Sequence, residues 1–326
     1  MPPSPPAWVS AAPAHYGMTW TEQYQSTADG PLEIRPNSLP TPFVVAVTGS
    51  GRGIGAEIAR CYAKAGASGI MLTSRRASDL EHVAASIAEI NSNTKVRYCV
   101  CDVTKQVQLA GLAAVVKQEF GRLDAAIINS ATSPAWVVDQ NGDGGSSTSP
   151  RSAFGILEDA TEDFFRVLDG TFRSAYLSSR ALLPLLRETL AGANAWAETG
   201  VMILTSSACS LFPTTDLVPF SASLSKLAVN RLVEVLHESY HQEGIRAHAI
   251  HPGGILTPGN SDFPDSCRAM FVDDISLPGG LCVWLTKGER GWLSGRYICA
   301  NWDMDELAAR REEIVAGDKF KMRLVL

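Results

Sequence analysis

The chain has 326 residues, 45% of them hydrophobic, which is enough apolar material to build the core of one large or two modest domains. Its formal net charge of −6 and pI near 5.6 come without any long basic run. This balance argues against nucleic acid or an anionic membrane surface as the main partner and favours a small molecule. No uninterrupted apolar stretch approaches about 18 residues, so no membrane span is expected.

The first 42 residues are rich in proline and polar residues, and they lack the basic start and apolar core of a signal peptide. We therefore expect an N-terminal extension over 1–42, followed by a single domain over 43–326. Four ring-bearing residues of the extension either cover the pocket or a neighbouring subunit, or belong to a disordered leader: His15, Tyr16, Trp20 and Tyr24. The seven cysteines form no CxxC clip, which is typical of reduced thiols in a cytoplasmic protein.

Seven short apolar runs recur along the chain, and helical periodicity separates most of them. The runs lie near 43–48, 69–74, 95–101, 124–130, 200–206, 245–250 and 295–300. The helical segments lie near 54–66, 79–91, 105–120, 161–190, 222–243 and 303–315, and the last of these is a C-terminal helical tail. This alternation predicts an α/β fold, a Rossmann-type doubly wound parallel seven-stranded sheet with helices on both faces.

One long connection stands out between the fourth strand and the next helix. Residues 139–152 are a low-complexity run of glycine, serine and polar residues, and they predict a flexible loop. The loop follows the carboxyl end of a strand, where ligands of such sheets bind.

The first apolar run leads directly into a glycine-rich turn and then into a helix. The turn reads Thr48-Gly49-Ser50-Gly51-Arg52-Gly53-Ile54-Gly55. Glycine allows the backbone to turn tightly and to approach a pyrophosphate, which the amides and positive dipole end of the next helix then bind. Such a turn also occurs as an ordinary loop, but the strand before it and the helix after it favour a dinucleotide site.

With three further motifs in the same order, residues 43–302 resemble the short-chain dehydrogenase/reductase family. These motifs are Asp102-Val103 after the third strand, Asn129-Ser130-Ala131 after the fourth, and the segment from Pro252 to Thr257. Thr132 departs from the family pattern, which has glycine there. The resemblance implies that a nicotinamide dinucleotide is held by Thr48, Gly49, Ser50, Arg52, Gly53, Ile54, Gly55, Arg75, Arg76, Asp102, Val103, Asn129, Ser130, Ala131, Lys226, Pro252, Gly253, Gly254, Ile255 and Thr257.

The form of the cofactor is predicted from charge at the end of the second strand, where Arg75 and Arg76 stand. An acidic residue there would bind the ribose hydroxyls of NAD, whereas guanidinium groups suit the adenosine phosphate of NADP. Arg52 in the glycine turn adds another bidentate phosphate ligand. We therefore predict NADP(H), the alternative being that these arginines are solvated surface charges.

The resemblance also implies a catalytic serine, tyrosine, lysine and asparagine. Ser207, at the end of the fifth strand, fits the serine, and Thr171 takes the place of the asparagine. Counting forward from Ser207 puts Phe220 at the tyrosine position, whereas counting back from downstream glycines puts Lys226 at the lysine and Ala222 at the tyrosine. The second alignment is preferred because loops vary in length more than helix interiors do. Neither alignment places an ionisable group at the tyrosine position.

Three functions remain open without the tyrosine, which would supply or take a proton at the substrate oxygen. The first is hydride transfer to an activated acceptor, an iminium, conjugated or carbonyl carbon. If a proton is needed, it comes from Ser207, Lys226, His251 or the 133–155 loop. The second is a non-redox cyclase, isomerase or dehydratase with bound NADP as a pocket wall, as in the fungal indole-alkaloid Diels–Alderases of this family. The third is a non-catalytic NADP sensor.

The C-terminal stretch from Gly295 to Glu313 resembles that of filamentous-fungal members of the family in natural-product pathways. This likeness favours a tailoring enzyme of secondary metabolism that acts on a large natural-product intermediate, with Trp136 as either a ligand contact or a core residue. The segments 161–190 and 222–243 resemble the paired helices through which family members dimerise, so a homodimer or homotetramer is expected. Their apolar faces fit burial against the sheet equally well.

Overall fold

Seven parallel strands form one sheet at the centre of the molecule. The computed structural model describes residues 5–13, 16–134, 161–192, 200–213, 218–260 and 270–324. The strand order is β3-β2-β1-β4-β5-β6-β7. It runs outward from β1 and β4 in both directions, which is the doubly wound arrangement that the sequence predicted. The strands are β1 (Val44–Thr48), β2 (Gly69–Ser74), β3 (Lys95–Val100), β4 (Ala125–Ile128), β5 (Gly200–Thr205), β6 (Ile245–His251) and β7 (Arg296–Cys299).

Helices cover both faces of this sheet. In chain order they are α1 (Ala7–Ala11), α2 (Gly53–Lys64), α3 (Ala77–Ile90), α4 (Gln106–Phe120), α5 (Thr161–Leu168), α6 (Ser174–Ala191), α7 (Phe220–Tyr240), α8 (Leu277–Thr286), α9 (Met304–Ala309) and α10 (Arg311–Ala316). One core lies under α2, α3 and α8, with Ile58, Leu80 and Leu281 fully buried. A second core lies under α4, α6 and α7 on the opposite face. Strand order reverses between β1 and β4, so a ligand cleft is expected at their carboxyl ends.

Helix α8 was missed by the sequence analysis. All ten of its residues are buried, so it carries no polar face and no amphipathic period. Pro278, Gly279 and Gly280 near its start also read as loop residues. A β-carbon on Gly279 would lie 2.3 Å from Sγ of Cys61, so the glycine lets α8 pack closely on α2.

The segment predicted as one helix over 161–190 is interrupted. Helix α5 ends at Leu168, a π-helical turn spans Asp169–Arg173, and α6 begins at Ser174. The tail is likewise two short helices, α9 and α10, in place of one. Three predicted features lie outside the described residues, namely His15, Trp136 and the loop over 139–152.

Residues 16–42 pack onto the core on one face of the sheet, under α2, α3 and α8. Leu32, Ile34 and Leu39 are buried in the core under α2 and α8. Tyr24 forms an antiparallel bridge with Trp302 of the tail. No helix in the described part of the chain is long and apolar enough to cross a membrane, and the six cysteines described there are free thiols.

Candidate active site

A cleft of about 1590 Å³ opens at the carboxyl ends of the central strands. Its walls come from the glycine turn after β1, the ends of β2 to β6, and the first turns of α7. The sheet therefore brings motifs that are far apart in the sequence to one edge, as the reversal of strand order at β1 and β4 requires.

The glycine turn presents backbone to this cleft. Gly49 has a φ of 66°, in the left-handed region that side chains disfavour. A β-carbon on Gly55 would lie 2.4 Å from the carbonyl oxygen of Gly49, so a larger residue would push the helix away from the turn. The turn thus forms a narrow cradle at the N-terminus of α2, and its amides and dipole fit a pyrophosphate.

Most of the predicted cofactor residues line the cleft, and three hold its shape from behind. The lining residues among them are Gly49, Arg52, Gly53, Ile54, Arg75, Arg76, Asp102, Val103, Asn129, Ser130, Ala131, Lys226, Pro252, Gly253, Gly254, Ile255 and Thr257. Thr48, Ser50 and Gly55 are absent from that lining. The Thr48 hydroxyl accepts hydrogen bonds from the amides of Asn129 (3.0 Å) and Ser130 (3.3 Å), and the Ser50 hydroxyl accepts one from the Thr73 amide.

The three predicted phosphate ligands differ in how free they are. Arg76 is held by Asp79, with Nε 2.9 Å from the carboxylate. Arg52 and Arg75 are exposed and have no hydrogen bond or ion pair within the described part of the chain. Two guanidinium groups therefore remain available to an anion at this end of the cleft.

Asp102 has its carboxylate partly committed to its own loop. Oδ1 accepts hydrogen bonds from the Thr104 amide (3.0 Å) and hydroxyl (2.7 Å). Partial desolvation raises the pKa of Asp102, but these bonds together with Lys105 and Arg75 outweigh it and lower the pKa overall. Asp102 thus stays ionised, with its second oxygen open to a hydrogen-bond donor.

The end of β5 is locked to α7 and β6, and this fixes Ser207. The Ser206 hydroxyl donates to Asn230 (2.6 Å), whose side-chain amide donates to Ser210 (2.9 Å). Ser210 in turn donates to the Ser207 carbonyl (2.7 Å). Nδ1 of His251 accepts from the Ala208 amide (3.1 Å). Ser207 lines the cleft, and its hydroxyl accepts a hydrogen bond from the Cys209 amide (3.3 Å).

The two alignments of α7 with the family assign the tyrosine position to different residues, Ala222 or Phe220, and the structure shows which of the two lines the cleft. Ala222 and Lys226, one helical turn apart, both line it. Phe220 does not, because its ring stacks on Phe164 at a centroid distance of 5.8 Å. No tyrosine lines the cleft within the part of the chain that the structure describes.

Lys226 and His251 are two ionisable groups that line the cleft together with Ala222. Nζ of Lys226 donates to the Thr205 carbonyl (2.6 Å), and burial lowers its pKa to about 8 although the nearby Cys209 opposes the shift. Burial, with a smaller effect of Lys226, lowers the pKa of His251 to about 4. His251 is therefore neutral at pH 7, and because Nδ1 accepts a hydrogen bond, Nε2 carries the hydrogen.

Thr171 lies on the π-helical turn and is bonded to the fourth-strand motif. Its hydroxyl accepts from the Thr132 amide (3.2 Å). The π-helical turn therefore includes the position at which the family resemblance implies asparagine and this chain has threonine. Thr132 itself packs against Gly170.

Three residues at the cleft escaped the sequence analysis. Phe212 and Cys209 line it from the turn after Ser207, in a segment with no periodic signal. Asp273 lies behind the Gly253-Gly254 turn and accepts a hydrogen bond from the Gly254 amide (2.7 Å). Asp273 and Asp274 together resemble a solvated loop in the sequence, so no pattern marked Asp273 as a buried acid.

Comparison with known proteins places the chain among short chain dehydrogenases. The family model for short chain dehydrogenases matches residues 43–267. The short chain dehydrogenase pgmD of Aspergillus terreus is 34% identical over 324 residues, covering 98% of each chain. The short chain dehydrogenase mpl6 of Monascus purpureus is 33% identical over 289 residues, covering 86% of this chain and 88% of its own.

Solved structures share the fold at low identity. A short chain dehydrogenase from Shigella flexneri, complexed with NADP, has a TM-score of 0.67 and 22% identity over 82% of this chain and 99% of its own. A 3-ketoacyl-(acyl-carrier-protein) reductase from Brucella melitensis, complexed with NADH, has a TM-score of 0.64 and 19% identity over 79% of this chain and 96% of its own. The two complexes hold different cofactors, so the fold alone does not choose between them.

Proposed function

Because the chain belongs to the short-chain dehydrogenase family, whose members are oxidoreductases that bind nicotinamide cofactors, we propose a specific form of that chemistry. The protein is an NADP(H)-dependent tailoring enzyme of secondary metabolism that transfers hydride to an activated small-molecule acceptor. The acceptor is an iminium, a conjugated carbon or a polarised carbonyl. One observation carries the proposal: Ala222, and not an acid, lines the cleft one turn before Lys226.

The residues of the cleft fit a nicotinamide dinucleotide. The backbone cradle at Gly49 to Gly55 suits its pyrophosphate, and Arg52 and Arg75 suit the additional phosphate of NADP. Lys226 lines the same cleft, and its ammonium is the group that we assign to the ribose. When bound, the cofactor supplies or takes a hydride at its nicotinamide ring.

An electron-poor acceptor removes the need for the missing acid. Hydride addition to an iminium gives a neutral amine, so no alkoxide forms and no proton is required. At a carbonyl, the Ser207 hydroxyl and the Nε2 hydrogen of neutral His251 donate hydrogen bonds to the oxygen. The Lys226 ammonium, with a pKa of about 8, then supplies the proton near neutral pH.

The substrate is a large natural-product intermediate. Alanine in place of a tyrosine widens the cleft beside Lys226, and the substrate end of the cleft carries the apolar side chains of Phe212, Val218 and Met270. The fungal relatives, 34% and 33% identical, support a role in fungal secondary metabolism.

The same widened cleft favours one second candidate, a non-redox cyclase or isomerase. A rigid wall that folds a substrate into a reactive geometry accelerates a unimolecular reaction without any acid. In that case the bound dinucleotide is structural and is not consumed.

The test compares acceptors of matched size in single-turnover reactions with NADPH. A cyclic iminium, an α,β-unsaturated ketone and an unactivated aryl ketone serve as probes. We expect NADPH oxidation with the iminium or the enone to exceed that with the aryl ketone by about 10² or more, the range that a positioned acid normally supplies. Equal rates with all three probes, or none, would contradict the proposal.

A further inference from the structure

A polar network joins the N-terminal part of the chain to the cofactor side of the cleft. We call residues 16–34 the strap. Tyr24 of the strap donates its hydroxyl hydrogen to the carboxylate of Asp273, with distances of 3.1 and 3.3 Å to the two oxygens. Asp273 in turn accepts from the Gly254 amide at 2.7 Å. One carboxylate therefore connects the strap to the Gly253-Gly254 turn, which the family resemblance includes among the cofactor-binding residues.

This carboxylate is buried, and donors fix both of its oxygens. Oδ2 accepts from Gly254 and from the side-chain amide of Asn301 at 2.9 Å, and Oδ1 accepts from Tyr24. Asp273 is 8% exposed and Tyr24 is 5% exposed. A buried carboxylate without a donor is costly, so loss of the Tyr24 hydroxyl leaves Oδ1 to rotate or to find another partner.

The strap has little freedom to move away from this contact. The Gln25 amide donates to the Asn301 carbonyl, and the Asn301 side-chain amide donates back to the Gln25 carbonyl, both at 2.8 Å. The Asp274 amide donates to the Ser26 carbonyl at 2.8 Å. These bonds hold Tyr24 in register with Asp273.

The turn itself tolerates little displacement. A β-carbon on Gly253 would lie 2.9 Å from the Asp273 carboxylate, so the chain passes directly over that group. The Asp273 amide also donates to the Gly254 carbonyl at 2.9 Å. Asp273 is therefore hydrogen-bonded to both the amide and the carbonyl of Gly254. A rotation of the Asp273 carboxylate would move Gly254, which lines the cleft.

From this chain of contacts we infer that Tyr24 is a positioning residue for the Gly253-Gly254 turn, acting through Asp273. The strap is then a working part of the cofactor site even though Tyr24 does not line the cleft. This inference rests on the proposed function only for the identity of the bound cofactor. The hydrogen bonds from Tyr24 through Asp273 to Gly254 are formed within the chain itself.

The test uses Tyr24→Phe, with Tyr62→Phe as the matched control. Both tyrosines are buried, but the Tyr62 hydroxyl bonds to Thr286 and the Cys282 carbonyl between α2 and α8, away from the turn. Backbone amide hydrogen exchange over residues 253–257 is measured first, without cofactor. We expect about 3- to 10-fold faster exchange at Gly254 in Tyr24→Phe, the effect of one lost hydrogen bond, and no local change in Tyr62→Phe.

The affinity for NADPH is measured second, by cofactor fluorescence. Tyr24→Phe should weaken binding by a similar factor while Tyr62→Phe does not, and Asp273→Ala should weaken it further if it folds. Unchanged exchange at Gly254 in Tyr24→Phe, or equal changes in both tyrosine variants, overturns the inference. Failure of the wild-type protein to bind NADPH would instead count against the proposed function, and the exchange result would still decide this inference.

Discussion

Thr132 and Gly170 fit together so closely that a β-carbon on Gly170 would lie 1.8 Å from the hydroxyl oxygen of Thr132. Thr132 stands where the family resemblance expects glycine. Its side chain occupies space that the adjacent glycine of the π-helical turn leaves open. The absence of a side chain at Gly170 therefore leaves room for Thr132 in the fourth-strand motif. The Thr132 amide donates a hydrogen bond to the Thr171 hydroxyl.

This fit predicts a strong coupling between the two positions. Gly170→Ala should destabilise the protein by about 2 to 3 kcal/mol, because overpacking outweighs the usual gain of alanine in a helix. Thr132→Gly should recover most of that loss when combined with it. Chemical denaturation of the two single variants and the double variant measures the coupling. Additive effects would show that the two side chains do not compete for the same space.

Ala222→Tyr places a phenol in the cleft, one helical turn before Lys226. We expect this variant to gain reduction of simple ketones, by up to about 10² to 10⁴, and to lose the native reaction as the ring fills the cleft. Ala222→Phe is the matched control, since it adds the same bulk without the hydroxyl. Steady-state rates with an aryl ketone separate the two effects. If Ala222→Tyr gained ketone reduction and kept the native reaction, the idea that the native substrate needs the space left by alanine at position 222 would be refuted.

Lys226→Met tests the depressed pKa of the lysine. Because the pKa falls from 10.5 when unfolded to about 8 when folded, the folded state disfavours the charged amine at pH 7. Replacing it with a neutral side chain of similar length should raise the free energy of unfolding by about 1 to 2 kcal/mol, allowing for the lost bond to Thr205.

The stability gain of Lys226→Met over the wild-type protein should decrease as the pH rises. Between pH 8 and about 10.5 the unfolded lysine binds more protons than the folded one, so wild-type stability rises relative to the variant and the gain shrinks. Thermal unfolding of both proteins from pH 6 to 10 measures the difference. A gain that is constant with pH would mean that the folded lysine has an ordinary pKa.

The two adjacent arginines should differ in their effect on cofactor choice. Arg75→Ala is expected to weaken NADPH binding by about 10- to 100-fold and leave NADH binding nearly unchanged, since only NADPH carries the extra phosphate. Arg76→Ala serves as the control, because Arg76 is paired with Asp79 and should matter less. Titration of both cofactors checks this. Equal losses for NADPH and NADH in Arg75→Ala would show that Arg75 does not read the phosphate.

Alternation of apolar runs and helical periods was enough to predict the sheet and most of its helices. All seven strands lie at predicted apolar runs. The central strands are buried on both faces and are therefore apolar, whereas β3, at the edge of the sheet, has no buried residue and carries Lys95 and Arg97. Helix α8 was missed for a related reason, since burial on every side removes the amphipathic period that marks a helix. The π-helical turn at Thr171 was not predicted, because Gly170 and Thr171 are weak helix formers but do not by themselves indicate a wider turn inside a helical segment.

At the site, motif residues could be predicted, but their partners could not. Counting along a helix, whose spacing is regular, predicted Lys226 at the lysine position and Ala222 at the tyrosine position, and both residues line the cleft. The hydrogen bonds between Asp273 and Gly254 depend on how separate segments pack, whereas the pairing of Arg76 with Asp79 is a local contact between residues three apart at the start of α3. The spacing from Arg76 to Asp79 was therefore available in the sequence and was overlooked, whereas no local pattern indicated that Asp273 contacts Gly254.

The measurement that bears most directly on the central claim follows a single deuterium atom. The protein is incubated with its acceptor and with NADPH deuterated at C4, each diastereomer in turn, and the product is analysed by mass spectrometry and NMR. We predict that deuterium from one diastereomer appears at the former electron-poor carbon, with an equal amount of NADP⁺ formed. Product that lacks deuterium and forms without NADPH oxidation would contradict hydride transfer and assign the cleft to a non-redox reaction.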